Sequence, residues 1–188
     1  TPAAREAFLK SILSMKKGMA LGSPSDEDIL FLAKSARYID YYSVDETGTL
    51  LDSIAKPETL RFPDDAWFYA GGIIASGRAE DGLKYLKARK AADPFSRLVL
   101  AAAYAEAKQY TAAIAEYRSL LSTSIPADVS RRASLSLGRV YFSQSLFKEA
   151  LETLEPVVTV EETDPEIRKL MEQLYRAAGE EVKAKLFA

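Results

Sequence analysis

The segment SLSLGRVYFSQSLFKEAL, from Ser134 to Leu151, decides the fold of this chain. It has the apolar spacing of a helix but contains Gly138, and a glycine inside a helix costs roughly 1 kcal/mol relative to alanine. A small residue is useful where two helix backbones approach closely. We therefore interpret Gly138 as half of a close contact with Ala150 on the second helix of a hairpin. The side chains predicted to fill this hairpin are Leu137, Tyr141, Phe147 and Leu154.

The same pattern recurs in three segments of the chain, namely residues 66–94, 97–121 and 133–158. When these segments are aligned, small residues fall at two shared positions and an aliphatic residue follows the second. The aligned sets are Gly71, Ala101 and Gly138, then Gly82, Ala113 and Ala150, then Leu83, Ile114 and Leu151. The second set is spaced by 31 and 37 residues. A period in this range indicates an array of repeated helix hairpins.

These positions resemble the tetratricopeptide repeat, a helix hairpin of about 34 residues with a Trp, a Leu-Gly, a Tyr, an Ala, a second aromatic residue and a Pro at set places. In repeat 1 the resemblance is carried by Trp67, Gly71, Gly77, Gly82, Tyr85, Asp93 and Pro94. In repeat 2 it is carried by Leu100, Tyr104, Tyr110, Ala113 and Tyr117, and in repeat 3 by Leu137, Gly138, Tyr141, Phe147, Ala150 and Leu154. The resemblance covers residues 64–165 and implies an all-α fold, a right-handed superhelix of stacked antiparallel helix hairpins.

The chain departs from the family pattern in three places. Repeat 1 is one residue short between Gly71 and Gly77, and it has Arg89 where the family places a small residue. An insertion around residues 122–127 lengthens the link between repeats 2 and 3. We therefore expect the array to be locally irregular.

The two ends match the pattern poorly. Residues 1–63 are predicted to form a helical N-terminal cap, with a leading helix Ala3–Met19 and a degenerate pair Ile29–Tyr42 and Leu50–Ala55. Residues 166–188 are predicted to form a C-terminal capping helix or a truncated fourth repeat. The capping face would consist of Ile167, Leu170, Met171, Leu174, Tyr175 and Ala178. The whole chain is expected to be one compact domain.

Composition excludes several classes of function. The 188 residues are 48% hydrophobic, which predicts a folded chain, and 25 basic residues against 27 acidic ones give no field that favours nucleic acid. The chain has no histidine and no cysteine, so the commonest general base, thiol nucleophiles and the usual metal ligands are missing. Its apolar runs are shorter than the roughly 20 residues that span a bilayer. We expect no catalytic residue, metal or cofactor, and no transmembrane segment.

Acidic and aromatic clusters have structural interpretations. The acidic clusters 26–28, 64–65 and 161–164 lie at predicted helix N-termini, where carboxylates are favoured by the helix dipole. The aromatic residues at repeat positions, such as Trp67 and Tyr104, are expected to belong to the core rather than to a cofactor site. Neither cluster predicts catalysis.

A stacked hairpin array presents the first helix of each repeat on a concave groove, where peptides or partner helices dock. The predicted groove residues are Asp65, Phe68, Phe95, Leu98, Ala102, Arg132, Leu135, Arg139 and Phe142. At these places the family's carboxylate-gripping members carry Lys and Asn, whereas this chain has mostly apolar residues. We predict a protein-interaction scaffold that binds an apolar peptide or helix, with Arg132 and Arg139 orienting an acidic group on the partner.

Alternative functions stay open. The apolar groove is also suited to a solute-binding helper protein, and it could instead be filled by the chain's own terminal helices. A third alternative is an enzyme whose catalytic residues lie within residues 1–63, or a fragment of a larger enzyme. Val182, Leu186 and Phe187 could support a homo-oligomer through the terminal helices. The absence of cysteine favours a bacterial cell envelope over the cytoplasm.

Overall fold

The structure is a computed structural model that describes residues 2–22, 24–38, 43–60, 63–90 and 93–188. Within these ranges the chain forms α-helices and one 3₁₀ helix, with no β-strand, so the predicted all-α fold is confirmed. The α-helices are α1 Pro2–Ala20, α2 Asp26–Tyr38, α3 Val44–Leu51, α4 Pro63–Ala75, α5 Ala79–Arg89, α6 Pro94–Glu106, α7 Tyr110–Leu121, α8 Ala127–Ser143, α9 Phe147–Leu154, α10 Pro165–Ala177 and α11 Glu181–Phe187. The 3₁₀ helix spans Pro57–Thr59.

The chain divides into two compact units, which we call the N-terminal unit, Thr1–Ala107, and the C-terminal unit, Lys108–Ala188. The N-terminal unit contains α1 to α6 and the C-terminal unit contains α7 to α11. Their boundary falls inside predicted repeat 2, between its two helices. No helix within the described ranges has both the length and the apolarity needed to cross a bilayer.

In the N-terminal unit each helix packs on the next one along the chain, and α6 contacts both helices of the α4–α5 hairpin. One core cluster joins α2, α3 and α4, and it consists of Ile29, Leu30, Ala33, Leu51, Ile54, Leu60 and Ile73. A second cluster joins α4, α5 and α6, and it consists of Ala70, Ile74, Leu83, Leu86 and Ala103. Helix α4 therefore contributes to both clusters.

The predicted cap helices are partly correct. Helix α1 matches the predicted leading helix, and α2 covers most of the predicted Ile29–Tyr42, of which residues 39–42 lie outside the described ranges. The predicted helix Leu50–Ala55 is wrong, because α3 begins at Val44 and ends at Leu51. Ser43 and Glu46 form a complete capping box that starts α3 early.

After α3 the chain is held by the first residue of α2. The backbone N–H groups of Ala55 and Lys56 donate to the two carboxylate oxygens of Asp26 at 2.8 and 2.9 Å. These bonds hold residues 55 and 56 in a loop, so the predicted extension of the helix to Ala55 does not form. Asp26 was predicted to favour a helix N-terminus, and it also fixes the loop between α3 and α4.

The structure corrects the register of repeat 1. A β-carbon added to Gly82 would lie 2.5 Å from Cγ1 of Ile74 and 3.3 Å from the carbonyl oxygen of Ala70, whereas one added to Gly71 would meet nothing within 4 Å. The residue at the close approach is thus Ala70, which is fully buried. Ala70 and Gly82 are twelve residues apart, as are Gly138 and Ala150. Repeat 1 is therefore not short, and the predicted role of Gly71 is wrong.

Arg89, the departure from the family pattern in repeat 1, has a structural explanation. Its Nη1 donates to the carbonyl oxygen of Leu60 at 2.8 Å, and its guanidinium lies 5.7 Å from the ring centroid of Tyr85. The phenol of Tyr85 donates to the carbonyl oxygen of Pro57 at 3.1 Å. Arg89 and Tyr85 thus bind α5 to the segment that precedes α4.

In the C-terminal unit α7 packs on α8, α8 and α9 form a hairpin, α9 packs on α10, and α10 and α11 form a second hairpin. The residue that meets Gly138 differs from the prediction. A β-carbon added at position 138 would lie 2.5 to 2.7 Å from Cγ, Cδ1 and Cδ2 of Leu154. Ala150 is fully buried, but the side chain that occupies the space over Gly138 is Leu154, one helical turn further along α9.

Helix α10 buries the predicted apolar face except at its end. Met171 and Leu174 are fully buried, while Ala178 is exposed because it follows the last residue of the helix. Asp164 caps the start of α10 by accepting from the backbone N–H groups of Glu166 and Ile167. The ring of Phe187 on α11 packs 5.7 Å from that of Tyr175.

Tyr175 makes the contact between α10 and the C-terminal end of α9 sensitive to high pH. Its phenol donates to Oε1 of Glu155 at 2.9 Å, and burial together with this bond raises its pKa to about 12. An unfolded tyrosine has a pKa of about 10. The stabilisation is therefore complete below about pH 10 and is lost as the pH rises toward 12.

We expect the thermal unfolding midpoint, followed by circular dichroism, to fall more steeply between about pH 10 and 12 in the native sequence than in Tyr175→Phe. Tyr110→Phe, which removes a half-buried phenol from the same unit, is the control and should behave as the native sequence does. If the unfolding midpoint of Tyr175→Phe falls as steeply as that of the native sequence, the hydrogen bond from Tyr175 to Glu155 does not cause the loss of stability.

Candidate binding cleft

The N-terminal unit contains an open apolar cleft of about 210 Å³ between the end of α2, the start of α3 and the exposed side of α4. Its lining residues are Arg37 from α2, Val44 and Thr47 from α3, and Trp67, Phe68, Gly71, Gly72 and Ala75 from α4. Apart from Arg37 and the hydroxyl of Thr47, these side chains are apolar or absent. We call this feature the α4 cleft.

The glycine pair of α4 creates the space. A β-carbon at Gly72 would collide with the side chain of Leu51, so this glycine lets α3 approach α4 closely. At Gly71 a β-carbon would meet nothing within 4 Å, so this glycine leaves its side of the helix empty. On the facing wall Val44, the first residue of α3, is 39% exposed. The cleft is thus a built concavity with an apolar wall.

The aromatic residues of the cleft are held in place by packing. Trp67 stacks with Phe95 on α6, with ring centroids 6.1 Å apart and an interplanar angle of 17°. Phe68 packs against the core cluster that joins α2, α3 and α4. Rings that are fixed before a partner arrives lose little conformational entropy on binding.

Charge at the cleft comes from α2. Lys34 forms an ion pair with Asp65, and its Nζ lies 5.8 Å from the ring centroid of Phe68. One helical turn further along α2, Arg37 lines the cleft itself. The positive charge of Lys34 is therefore matched by Asp65, and Arg37 contributes to a lining whose surface is almost entirely apolar.

The predicted groove residues of the N-terminal unit take different places. Phe68 lines the cleft, Asp65 pairs with Lys34 at its side, and Phe95 supports Trp67 from behind. Leu98 is 6% exposed, because α6 packs on both α4 and α5 and uses its apolar face internally. Ala102 is half-buried. Leu98 therefore offers almost no surface to a partner, contrary to its predicted role.

The predicted groove residues of the C-terminal unit lie on α8. Leu135 is 9% exposed and belongs to the core, so it is not available as an anchor. Phe142 is half-buried and packs against Phe147 with ring centroids 5.8 Å apart. Arg132 and Arg139 are exposed, and Arg139 lies 3.6 Å from the carboxylate of Glu166. Of these four, the two arginines present the most surface.

The cleft also contains residues that sequence reasoning missed or assigned otherwise. Trp67 and Gly71 were assigned to the repeat core but line the cleft, and Arg37, Val44 and Ala75 were not singled out. The Gly71-Gly72 pair was the sequence signal for this cleft, because two neighbouring glycines leave two adjacent sides of a helix without side chains. Only the structure shows that one of these directions is filled and the other is open.

Several ionisable groups of this unit have pKa values that are shifted by their surroundings. Burial raises the pKa of Tyr69 and of Tyr85, whose rings meet edge to face with centroids 4.9 Å apart. The pKa of Glu46 is lowered because its carboxylate accepts the backbone N–H of Ser43 in the capping box. Among the residues that the structure describes, no group of three acidic side chains is placed to hold a metal ion.

Comparisons with known proteins support the fold. No family model matches the sequence, and no curated protein matches it significantly. The crystal structure of BtubC (BKLC) from P. vanneervenii is similar to this chain, with a TM-score of 0.54 and 16% sequence identity over 98% of this chain and 86% of that one. A likeness at this identity shows the fold alone. The chain therefore has an all-α helical repeat fold, which this solved structure shares.

Proposed function

We propose that this chain is a non-catalytic, tetratricopeptide-like interaction module whose α4 cleft receives one apolar side chain of a partner peptide or helix. The observation that carries the proposal is the cleft, an apolar concavity with Trp67 and Phe68 on one wall and Val44 on another. Fixed aromatic walls around an open space are typical of anchor pockets in protein interfaces.

The size of the cleft favours a side chain over a solute. A cavity of about 150 Å³ holds benzene, and pockets for drug-sized molecules have about 300 to 1,000 Å³. The cleft has about 210 Å³. It therefore fits one aromatic or large aliphatic side chain and is small for a whole metabolite. The rest of a partner would lie outside it, as a peptide or helix does.

The corrected register supports the family resemblance. Ala70 and Gly82 are twelve residues apart, as are Gly138 and Ala150, and all four are buried. A constant distance between the small residues of successive hairpins is what a repeat with one interhelical contact requires. In the hairpins α4–α5 and α8–α9, a β-carbon added to Gly82 or to Gly138 would collide with a side chain of the facing helix.

Gly71→Leu tests the proposal by filling the cleft from its floor. Because a β-carbon at Gly71 meets nothing within 4 Å, the added side chain should enter the cavity without displacing the core. Gly18→Leu is the matched control, since Gly18 is also helical, also has nothing within 4 Å of an added β-carbon, and is not part of the cleft. Circular dichroism should show equal helicity in all three proteins.

A random peptide library displayed on phage is then selected on the native sequence. We expect enriched peptides to share one aromatic or large aliphatic residue, to lose at least about tenfold in affinity for Gly71→Leu, which corresponds to about 1.4 kcal/mol, and to bind Gly18→Leu normally. Selection of peptides that bind Gly71→Leu equally well would contradict the assignment of the cleft. Failure to enrich any peptide, with a small apolar molecule retained in native mass spectrometry, would favour a solute-binding protein instead.

A further inference from the structure

We infer that the outer face of α11, which carries Val182 and Leu186, is a contact surface for a second copy of this chain. The two α11 helices run antiparallel about a twofold axis, with Val182 of each copy against Leu186 of the partner subunit. The inference goes beyond the proposed function, because it concerns the C-terminal unit and does not use the α4 cleft.

The hairpins α4–α5, α8–α9 and α10–α11 can be compared position by position through their turns. In each of them the residue two places before the second helix has a positive φ angle, between 59° and 86°. These turn residues are Gly77, Ser145 and Gly179. Residues at the same distance after the turn residue therefore occupy equivalent places on α5, α9 and α11.

The outer face of α11 differs from the equivalent faces of α5 and α9. The third and the seventh residue after the turn residue are exposed in all three helices. On α9 these two residues form an ion pair along the helix, at 3.8 Å, whereas on α11 they are aliphatic and are 81% and 53% exposed. The compared pairs are Glu80 and Lys84 on α5, Lys148 and Glu152 on α9, and Val182 and Leu186 on α11.

A third aliphatic residue extends this surface. Nη1 of Arg168 donates to the carbonyl oxygen of Val160, and its Nη2 donates to that of Leu186, both at 2.9 Å. One guanidinium thus holds the two residues side by side, and Val160 is 46% exposed. The terminal hairpin of a repeat array needs a polar outer face to stay in water. An exposed aliphatic cluster at this place is therefore a contact surface for another molecule.

The face is complementary to itself, which is the requirement for a twofold contact. Val182 and Leu186 lie one helical turn apart on the same side of α11, so an axis level with Ala184 places each against the other in the partner subunit. Glu181 and Lys185 lie one turn apart along one flank of this face. Both are exposed, and neither forms an ion pair among the described residues. The same axis brings Glu181 of each copy next to Lys185 of the partner subunit.

The other flank of the face carries a compensated charge. Nζ of Lys183 lies 2.7 Å from the carboxylate of Glu180 and 3.4 Å from that of Glu155. The two copies of Lys183 therefore do not meet as free cations. Because few side chains take part, the contact is far smaller than the roughly 800 Å² per partner of a stable interface, and we expect a dimer dissociation constant of about 10 to 100 μM.

The experiment is sedimentation velocity of the full chain at concentrations from about 1 to 500 μM, a range that spans the expected dissociation constant. We expect a monomer–dimer equilibrium. The double variant Val182→Lys with Leu186→Glu gives α11 the outer face of α9, and it should weaken the dimer at least about tenfold. Circular dichroism should be unchanged, because both side chains are exposed. Leu13→Lys with Leu21→Glu changes two exposed leucines of the N-terminal unit and should dimerise as the native sequence does.

A charge exchange tests the antiparallel arrangement. Glu181→Lys alone and Lys185→Glu alone place like charges together and should each weaken the dimer about threefold. The two substitutions combined restore opposite charges across the axis, so the affinity should return. The same exchange on α9, Lys148→Glu with Glu152→Lys, is the control and should leave the dimer unchanged.

Three results would overturn the inference. The first is a chain that stays monomeric at about 500 μM, well above the expected dissociation constant. The second is a dimer that survives Val182→Lys with Leu186→Glu. The third is growth beyond the dimer with rising concentration, which indicates a head-to-tail contact in place of a twofold one. If the combined charge exchange does not restore the affinity, the antiparallel pairing of Glu181 with Lys185 is wrong.

Discussion

Leu154→Ala is expected to lower the free energy of unfolding by about 2 to 5 kcal/mol, the range for deleting a buried leucine side chain. Leu154 is fully buried, and its three branch atoms occupy the space over Gly138. The effect is measured by urea unfolding followed by circular dichroism. Leu146→Ala makes the same chemical change at a side chain that is 38% exposed, and it should alter stability by less than about 0.5 kcal/mol.

A loss below about 1 kcal/mol for Leu154→Ala would contradict the packing of the α8–α9 hairpin. The surrounding helices could reduce the loss only by collapsing into the space. Gly138 has no side chain with which to fill it, so we expect the cavity to persist.

Gly138→Ala is expected to lower the free energy of unfolding by about 1 to 2 kcal/mol, although alanine is the better helix former. The gain in helix propensity is about 1 kcal/mol, but overpacking a buried contact typically costs about 1 to 3 kcal/mol. The clash is severe because the new β-carbon would lie 2.5 Å from Cγ of Leu154, a branch atom with little freedom to move. Gly138→Leu should be more destabilising still.

Gly71→Ala is the matched control and should act in the opposite direction. It is also a glycine inside a helix, but a β-carbon there meets nothing within 4 Å, so only the propensity gain of about 0.5 to 1 kcal/mol remains. If the free energy of unfolding falls for Gly138→Ala and rises for Gly71→Ala, Gly138 is the glycine that marks a helix contact. Stabilisation by both would contradict the close approach at Gly138.

The two substitutions of the hairpin should be strongly coupled. In the Leu154→Ala background the space over Gly138 is empty, so Gly138→Ala should become neutral or stabilising. The coupling free energy in the double-mutant cycle is expected to be about 1 to 3 kcal/mol. A cycle that closes without coupling would mean that residues 138 and 154 do not touch.

The sequence predicts the hairpins well and their contacts less well. The helical class and the importance of Gly138 followed from the spacing of small and apolar residues, and the structure agrees. The partner of Gly138 was predicted one turn too early, because sequence spacing defines the face of a helix but not which of two residues on that face reaches across. For repeat 1 the error was a single position, because Gly71 was chosen in place of its neighbour Ala70.

The candidate site was harder to predict than the fold. Phe68 was identified, but Leu98 and Leu135, chosen on the same reasoning, are buried within their own units. Apolar residues on the first helix of a hairpin can face either a groove or the next helix, and the sequence does not distinguish these. The cleft depends on an absent side chain at Gly71 and on α3, whose start at Val44 was missed.

The central claim, that the α4 cleft receives a partner side chain, is tested most directly with Trp67, the only tryptophan of the chain and a lining residue of the cleft. Its fluorescence is recorded while a selected peptide without tryptophan is added. We predict a saturable change in emission for the native sequence and for Gly18→Leu, and no change for Gly71→Leu. Peptide binding, detected by calorimetry, that leaves the emission of Trp67 unchanged would contradict the claim.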